Sequence, residues 1–448
     1  MNEKKCLVVI GGQIAGMSAA LFARYEYPDA QITVVAAENV ALYNKIALVS
    51  YLTGKKMSRH LRFYPDNWLE SERIALVLGK SAVALDREGH TVALSDGRVL
   101  PYDKLILATG AEPIELPMSD AEQGLWMPLW SLSDAAKIHA ALPTSERVVV
   151  VGGGILGVET AVDLANYGKV VTLVEGSATL MATHLDKEAA GMFARFMEQK
   201  RIDLKLGSFV DSVQSSGSFK KLLLEDGSTL ETDLVILTAG VRPNVVLARE
   251  AGLQVNRGIV VDSHMVTSDP DILACGNCTE LDGGLRLLWN PAKHEGEVAG
   301  RNAFVPLLQA HGSPEIVHVK LPEMPLFVCG TPLHEQDDDR VLVRKTDECY
   351  RLLRLSESGQ VKGAILLGDA SGYYSLQKAA FAGWQAPKSS QNGGDLEEML
   401  RLMAQEFGED EGETKCWVCQ MCGYVYEGEY PPEICPVCAV GKDQFLVA

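Results

Sequence analysis

The sequence predicts an α/β protein with two nucleotide-binding βαβ units, a following α+β segment of shorter strands, and a small four-cysteine domain. Three observations carry this. Leu7-Val-Val-Ile-Gly-Gly-Gln-Ile-Ala-Gly16 and Val148-Val-Val-Val-Gly-Gly-Gly-Ile-Leu-Gly157 both read as strand, tight glycine turn and helix start. Each is followed, roughly 20 residues on, by a β-rich run ending in an acid: Ile32 to Glu38, then Val170 to Glu175. Two Cys-x-x-Cys pairs, Cys419/Cys422 and Cys435/Cys438, stand near the C-terminal end.

Composition bounds the rest. The chain has 448 residues, 47% of them hydrophobic, enough for several domains with large cores. A formal net charge of −18 disfavours nucleic acid and anionic membrane, both polyanions, as partners. No stretch reaches the roughly 18 apolar residues of a membrane span. The apolar run Cys6 to Ile10 is too short for a signal peptide and leads into glycines, so it reads as a first strand. Four of the ten cysteines cluster at metal-ligand spacing and the others are scattered. That pattern fits a reducing, cytoplasmic location better than a disulfide scaffold.

Between the glycine motifs, Thr91 to Leu94 and Lys104 to Ala108 read as strands, the latter running into Thr109-Gly110. Leu234 to Ala239 is a similar buried strand ending at Gly240. From about His318 to Gln385 the pattern shifts to shorter strands, such as Arg340 to Val343 and Val361 to Leu367, as in a separate α+β domain. Pro387 to Gly394 reads as a linker. Asp395 can then cap an amphipathic helix with Leu396, Met399, Leu400, Leu402 and Met403 on its apolar side. Gly408 to Thr414 is acidic and glycine-rich, and the four-cysteine domain follows.

The second glycine fingerprint is complete. Gly152 permits the turn, Gly154 admits a pyrophosphate, and Gly157 lets helix and strand pack closely, with the helix N-terminus facing the phosphates. Glu175 can accept from a ribose 2′-hydroxyl and would repel a 2′-phosphate, which favours NADH over NADPH. The first fingerprint keeps Gly11, Gly12 and Gly16, but Gln13 stands at the middle position, where a side chain crowds an approaching pyrophosphate. Glu38 remains placed for a ribose. The four cysteines make a tetrahedral all-sulfur site, a geometry that accepts iron or zinc.

The pattern Trp417-x-Cys-x-x-Cys-Gly-Tyr…Pro432-x-x-Cys-Pro-x-Cys…Phe445 resembles the short rubredoxin module of rubrerythrins, which implies one iron on Cys419, Cys422, Cys435 and Cys438, with zinc as the other candidate. Residues 1 to about 385 resemble the FAD-dependent pyridine-nucleotide reductases of the NADH–rubredoxin and ferredoxin reductase branch. The motifs are Leu42-Tyr-Asn-Lys45, Ala108-Thr-Gly-Ala-Glu-Pro113, Thr238-Ala-Gly-Val-Arg-Pro-Asn244 and Ser268 to Cys278. The resemblance implies Rossmann-like FAD and NAD domains, an FAD-binding domain at 1–115 and 241–317 and an NAD-binding domain at 116–240. It further implies an α+β interface domain at 318–386, a linker with a helix at 387–415, and a rubredoxin-like domain at 416–448.

On the flavin side the resemblance implies Gly11, Gly12, Gln13, Gly16, Glu38, Lys45, Thr109, Gly110, Asn277 and Glu295 as cofactor-binding residues, with Gly240, at the end of the NAD-binding stretch, a further one. On the NAD side it implies Gly152, Gly154, Gly157 and Glu175, with Glu159 near the nicotinamide. Four flavin-side positions depart from the family: Gln13 for glycine, Lys45 for arginine, Leu48-Val-Ser50 for Leu-Ser-Lys, and Asn277 for aspartate. No cysteine lies between Val40 and Gly54, and Cys275 and Cys278 flank a glycine turn, so no redox dithiol is expected beside the flavin.

The expected function is electron transfer from NADH through FAD to the chain's own iron, and on to a redox protein such as rubrerythrin, a flavodiiron protein or rubredoxin. A homodimer is left open. Two other readings stand beside it: a flavin-free, NAD-binding, metal-bearing partner or regulatory protein, and an NADH oxidase or peroxide-linked reductase.

Overall fold

The computed structural model of the protein describes residues 5–40, 42–63, 68–115, 124–217, 219–310, 314–319, 321–333, 339–387 and 394–408, and beyond these 416–419, 425–427, 430–433, 442 and 445–447. Four units follow one another, the first of them built from two separate stretches of chain.

The first unit is a five-stranded parallel sheet in the order Ile272–Ala274, Lys104–Leu107, Cys6–Ile10, Gln31–Ala36 and Ile74–Leu78. Leu7 to Ile10 are all buried, as expected of a parallel strand covered on both faces. The pairing of Ile272–Ala274 with Lys104–Leu107 joins the late stretch to the early one. Helices Ile14–Glu26 and Trp289–Arg301 seal the union, and they touch through glycines. A Cβ on Gly296 would stand 2.2 Å from the carbonyl oxygen of Ala15, and one on Gly300 would stand 2.2 Å from that of Ala19. Only residues without side chains allow so close a crossing.

The second unit repeats the plan, with parallel strands ordered Asp203–Leu206, Val170–Glu175, Arg147–Val151, Leu234–Leu237 and Met127–Pro128. Two crossings connect the units, and the crossing segments Ala111–Pro113 and Val241–Pro243 pair antiparallel to each other.

The third unit is a five-stranded antiparallel sheet, ordered Ile316–Val319, Leu326–Gly330, Val361–Leu367, Tyr350–Leu355 and Arg340–Lys345. Alternation puts Val328, Leu352, Ile365 and Leu367 into a core shared with the second unit and with Tyr43 to Leu61. Phe327, Cys329, Leu353 and Leu366 face the opposite way.

Helix Leu396–Phe407, which the sequence placed within a linker, packs on that second face. Its N-cap Asp395 accepts from the N–H of Glu398 at 2.9 Å. Leu396, Met399, Leu400 and Met403 are buried against the sheet and helix Tyr373–Ala382. The apolar stripe that amphipathicity reveals is therefore satisfied within the third unit.

In the last unit, Cys416–Cys419 is the central strand, antiparallel to Val425–Glu427 and Phe445–Val447. The partnership of Val418 with Val425 closes the loop that carries the first Cys-x-x-Cys pair. Cys422, Cys435 and Cys438 lie outside the described residues, as does the side chain of Cys419. No helix among the described residues is long and apolar enough to cross a membrane.

Candidate functional site

The two parallel sheets point the C-terminal ends of their strands at one cleft of about 1050 Å³, where such sheets gather their ligands. Gly11, Gly12 and Gln13 of the first fingerprint line it, and so do Gly152, Gly153 and Gly154 of the second. Glu38, Lys45, Thr109, Gly110, Glu159, Glu175, Gly240 and Asn277 reach the same space. Gly16, Gly157 and Glu295 do not; they act from behind it.

Both turns need their first glycine, since Gly11 has φ +128° and Gly152 φ +111°. The third glycines need the absence of a side chain: a Cβ on Gly16 would stand 1.9 Å from the carbonyl oxygen of Gly11, and one on Gly157 would stand 1.8 Å from that of Gly152. At Gly154 a Cβ would meet nothing within 4 Å, so the open side of that glycine is the cleft itself. The fold thus requires the first and third glycines of both turns, and Gly154 opens on the cleft.

At the second turn, Glu175 is fixed by backbone. It accepts from the N–H of Gly153 at 2.5 Å and from the N–H of Ser177 at 2.6 Å. At the first turn, side chains perform this task. Glu38 accepts from the Gln13 amide at 3.2 Å and from the Tyr43 hydroxyl at 2.8 Å, with Lys45 Nζ 4.0 Å away. Tyr43 in turn accepts from the N–H of Leu132 at 2.9 Å, which ties this acid to the first turn of helix Leu132–Ala141 in the second unit. Burial and the Glu38 carboxylate push the Tyr43 hydroxyl well up, so it stays a donor. Lys45 lies 4.7 Å from the ring centre of Trp130, and burial lowers its pKa.

Asn277 sits on the turn between Cys275 and Cys278. Glu295 holds this turn from behind, accepting from the N–H of Gly276 at 2.8 Å and from Thr279 Oγ1 at 2.7 Å. Glu295 is therefore a positioning residue for the turn. The side-chain oxygens of Asn277 and Gln13 are both buried in the cleft wall without a protein partner. Buried polar atoms are nearly always paired, so two such acceptors facing one cavity fit a bound group rich in hydroxyls. Cys275 and Cys278 are fully buried free thiols, pushed up by burial, which makes them poor nucleophiles.

Glu159, on helix Ile155–Asn166, is pushed up to about 7, chiefly by burial and further by Asp163 one turn on. Asp163 itself accepts from Thr53 Oγ1 at 3.0 Å and pairs with Lys55, both in the first unit.

Three cleft residues escaped sequence reasoning: Trp130, Trp289 and Phe209. Trp289 opens helix Trp289–Arg301 and stacks on Phe63 with ring centres 5.7 Å apart. Phe209 covers Gly176, directly after Glu175, and is 55% exposed. None belongs to a spaced motif; an aromatic beside a strand or helix end is the one signal each carries.

Comparison with known proteins agrees with this geometry. Residues 5–298 match the family model described as pyridine nucleotide-disulphide oxidoreductase, and residues 417–446 match that of the rubrerythrin, rubredoxin-like domain. A nitrite reductase [NAD(P)H] of Bacillus subtilis (strain 168) is 30% identical over 82% of this chain and 46% of the relative. The chain thus spans about half the length of that protein. A nitric oxide reductase FlRd-NAD(+) reductase of Salmonella agona (strain SL483) is 30% identical over 72% of this chain and 85% of the relative. Among solved structures, the covalent putidaredoxin reductase–putidaredoxin complex superposes with a TM-score of 0.81 at 25% identity, covering 91% of this chain and 99% of that one.

Proposed function

The chain belongs to the pyridine nucleotide-disulphide oxidoreductase family, and from this premise we propose that it carries electrons from NADH through FAD to the iron of its own rubredoxin-like domain, and on to a redox protein. The single cleft that joins both glycine turns carries this reading, because a hydride donor and its acceptor must lie in contact. The family works with FAD and NADH, and the rubredoxin-like domain binds iron.

FAD, when bound, takes two electrons from a hydride and releases them one at a time. The residues of the chain hold and orient. Gly11, Gly12 and Gly16 would hold the flavin pyrophosphate, with Glu38 placed for its ribose and Asn277 for its sugar-alcohol chain. Thr109, Gly110 and Gly240 form the cleft floor, where the two crossings meet. Gly152, Gly154, Gly157 and Glu175 hold the NADH, and Glu159 stands beside the nicotinamide as a proton-holding group. Cys419, Cys422, Cys435 and Cys438 are the iron ligands. The acceptor after the iron is a rubrerythrin, a flavodiiron protein or a second rubredoxin. The free cysteines among the described residues fit a cytoplasmic, reducing setting.

The test is an anaerobic NADH titration of purified chain of known flavin and metal content. Bleaching of both the flavin and the ferric four-sulfur absorbance supports the reading. A chain that holds flavin and iron but leaves the iron ferric when NADH is in excess overturns it.

A further inference from the structure

Between Glu38 and Asp66 the sequence has no acid but five cations: Lys45, Lys55, Lys56, Arg59 and Arg62. This is an unusual stretch in a chain of net charge −18. Residues 54–60 and Arg62 are exposed. The strip is fastened beside the cleft mouth. The N–H of Asn44 donates to the Leu61 carbonyl at 2.7 Å, Tyr43 and Arg62 form an antiparallel bridge, and Leu61 is buried in the shared core. Phe63 stacks on Trp289, which lines the cleft. Two large apolar side chains stand among the charges: Ile46, itself on the cleft rim, is 64% exposed, and Met57 is 56% exposed. An apolar centre within a charged rim is the usual anatomy of a transient protein interface.

We propose that this strip, Lys55 to Arg62 with Ile46, is the docking site of the chain's own four-cysteine domain. The inference rests on the electron-transfer reading above. Charge complementarity selects the occupant. Residues 409–448 carry Glu409, Asp410, Glu411, Glu413, Glu427, Glu429, Glu433 and Asp443 against Lys415 and Lys442, the latter paired with Glu433 at 2.8 Å. Opposite patches steer encounter and fix orientation. Lys55 is partly engaged by Asp163, and Lys56 and Arg59 are exposed on the same rim. Ile46 ties the interface to the cleft, because it belongs to both.

The experiment uses the oxidised full chain and a zero-length carbodiimide, with isotopically heavy and light chains mixed. The expected products are amide links from Lys55 or Lys56 to Glu427, Glu429, Glu433 or Asp443, joined within one isotope and lost at high salt. Links between heavy and light chains, links from these acids to other lysines of residues 5–387, or no link between the two parts at all overturn the proposal; the Glu433–Lys442 pair inside the domain serves as the internal control. In stopped flow, the double variant Lys56→Glu/Arg59→Glu is expected to slow NADH-driven iron reduction at least tenfold, with flavin reduction unchanged. Adding Glu427→Lys/Glu429→Lys restores the rate. An unaltered rate in the double variant also overturns the proposal. Cross-linking needs no NADH, so its failure is distinct from failure of the proposed activity.

Discussion

The backbone N–H of Gly153, inside the second glycine turn, donates to Glu175 Oε2 at 2.5 Å. The turn and the acid at the end of the next strand are thereby one rigid piece. The carboxylate is fixed by two backbone N–H groups, those of Gly153 and Ser177, at the cleft wall. A 2′-phosphate there would meet a fixed negative charge with no arginine or lysine between Gly176 and Leu180 to offset it.

NADH is therefore expected to be used with at least tenfold higher kcat/KM than NADPH, a difference of about 1.4 kcal/mol or more. Glu175→Gln should narrow that ratio, mainly by improving NADPH. Equal kcat/KM for both in the unmodified chain would refute the role given to Glu175.

The glycine turns and the two acids that follow them are legible in sequence, because each rests on short-range pattern, whereas the division of the first domain into two stretches comes only through the family resemblance. Val148 to Val151 can hardly be anything but a buried strand before its glycines. The helix Leu396–Phe407 shows where pattern stops. Its cap and apolar stripe are plain, yet only the structure reveals that Met399 and Met403 fill the far face of the third sheet. Trp130, Trp289 and Phe209 were illegible for the same reason: their role depends on which surfaces long-range folding brings together. The placement of Glu295 behind its turn was equally hidden, since local sequence does not tell a ligand from a buttress.

Iron in the C-terminal domain is expected to depend on every cysteine of the two pairs. Replacing Cys419, Cys422, Cys435 or Cys438 singly by serine should abolish the ferric visible spectrum while flavin reduction by NADH continues. The measurement is iron per chain together with the absorbance spectrum. Stoichiometric zinc in protein made by its own host would overturn the assignment of iron.

Glu159 makes stability depend on pH. Its carboxyl is raised from 4.5 to about 7 in the folded chain. Within that window the folded state holds a proton that the unfolded state releases. Stability therefore falls as pH rises from 4.5, and the loss is complete above about 7. Allowing for the partial exposure of the side chain, the loss is about 1–2 kcal/mol. Glu159→Gln should remove it, so the variant gains on the wild type between pH 5 and pH 8 in denaturant titrations. Parallel pH profiles for the two proteins would show that the carboxyl is not held protonated.

Gln13 sets the strength of the flavin site. Its amide donates to Glu38 and its oxygen lies buried without a partner, so the side chain stands inside the turn that must admit a pyrophosphate. Binding either shifts this side chain, breaking its contact with Glu38, or draws the amide over to a phosphate. Both courses cost affinity relative to a glycine at this position, and each 1.4 kcal/mol lost is about tenfold. Wild-type chain is therefore expected to shed part of its FAD during purification. Gln13→Gly should raise FAD content per chain, and adding Asn277→Asp should raise it further by returning a charged acceptor to the turn that Glu295 buttresses. The measurement is FAD per chain before and after adding FAD, for wild type and both variants. Full, non-dissociating FAD in the wild type would mean that the Gln13 amide replaces the missing glycine at no cost. Failure of all three chains to take up FAD would leave the iron to be reduced by another protein.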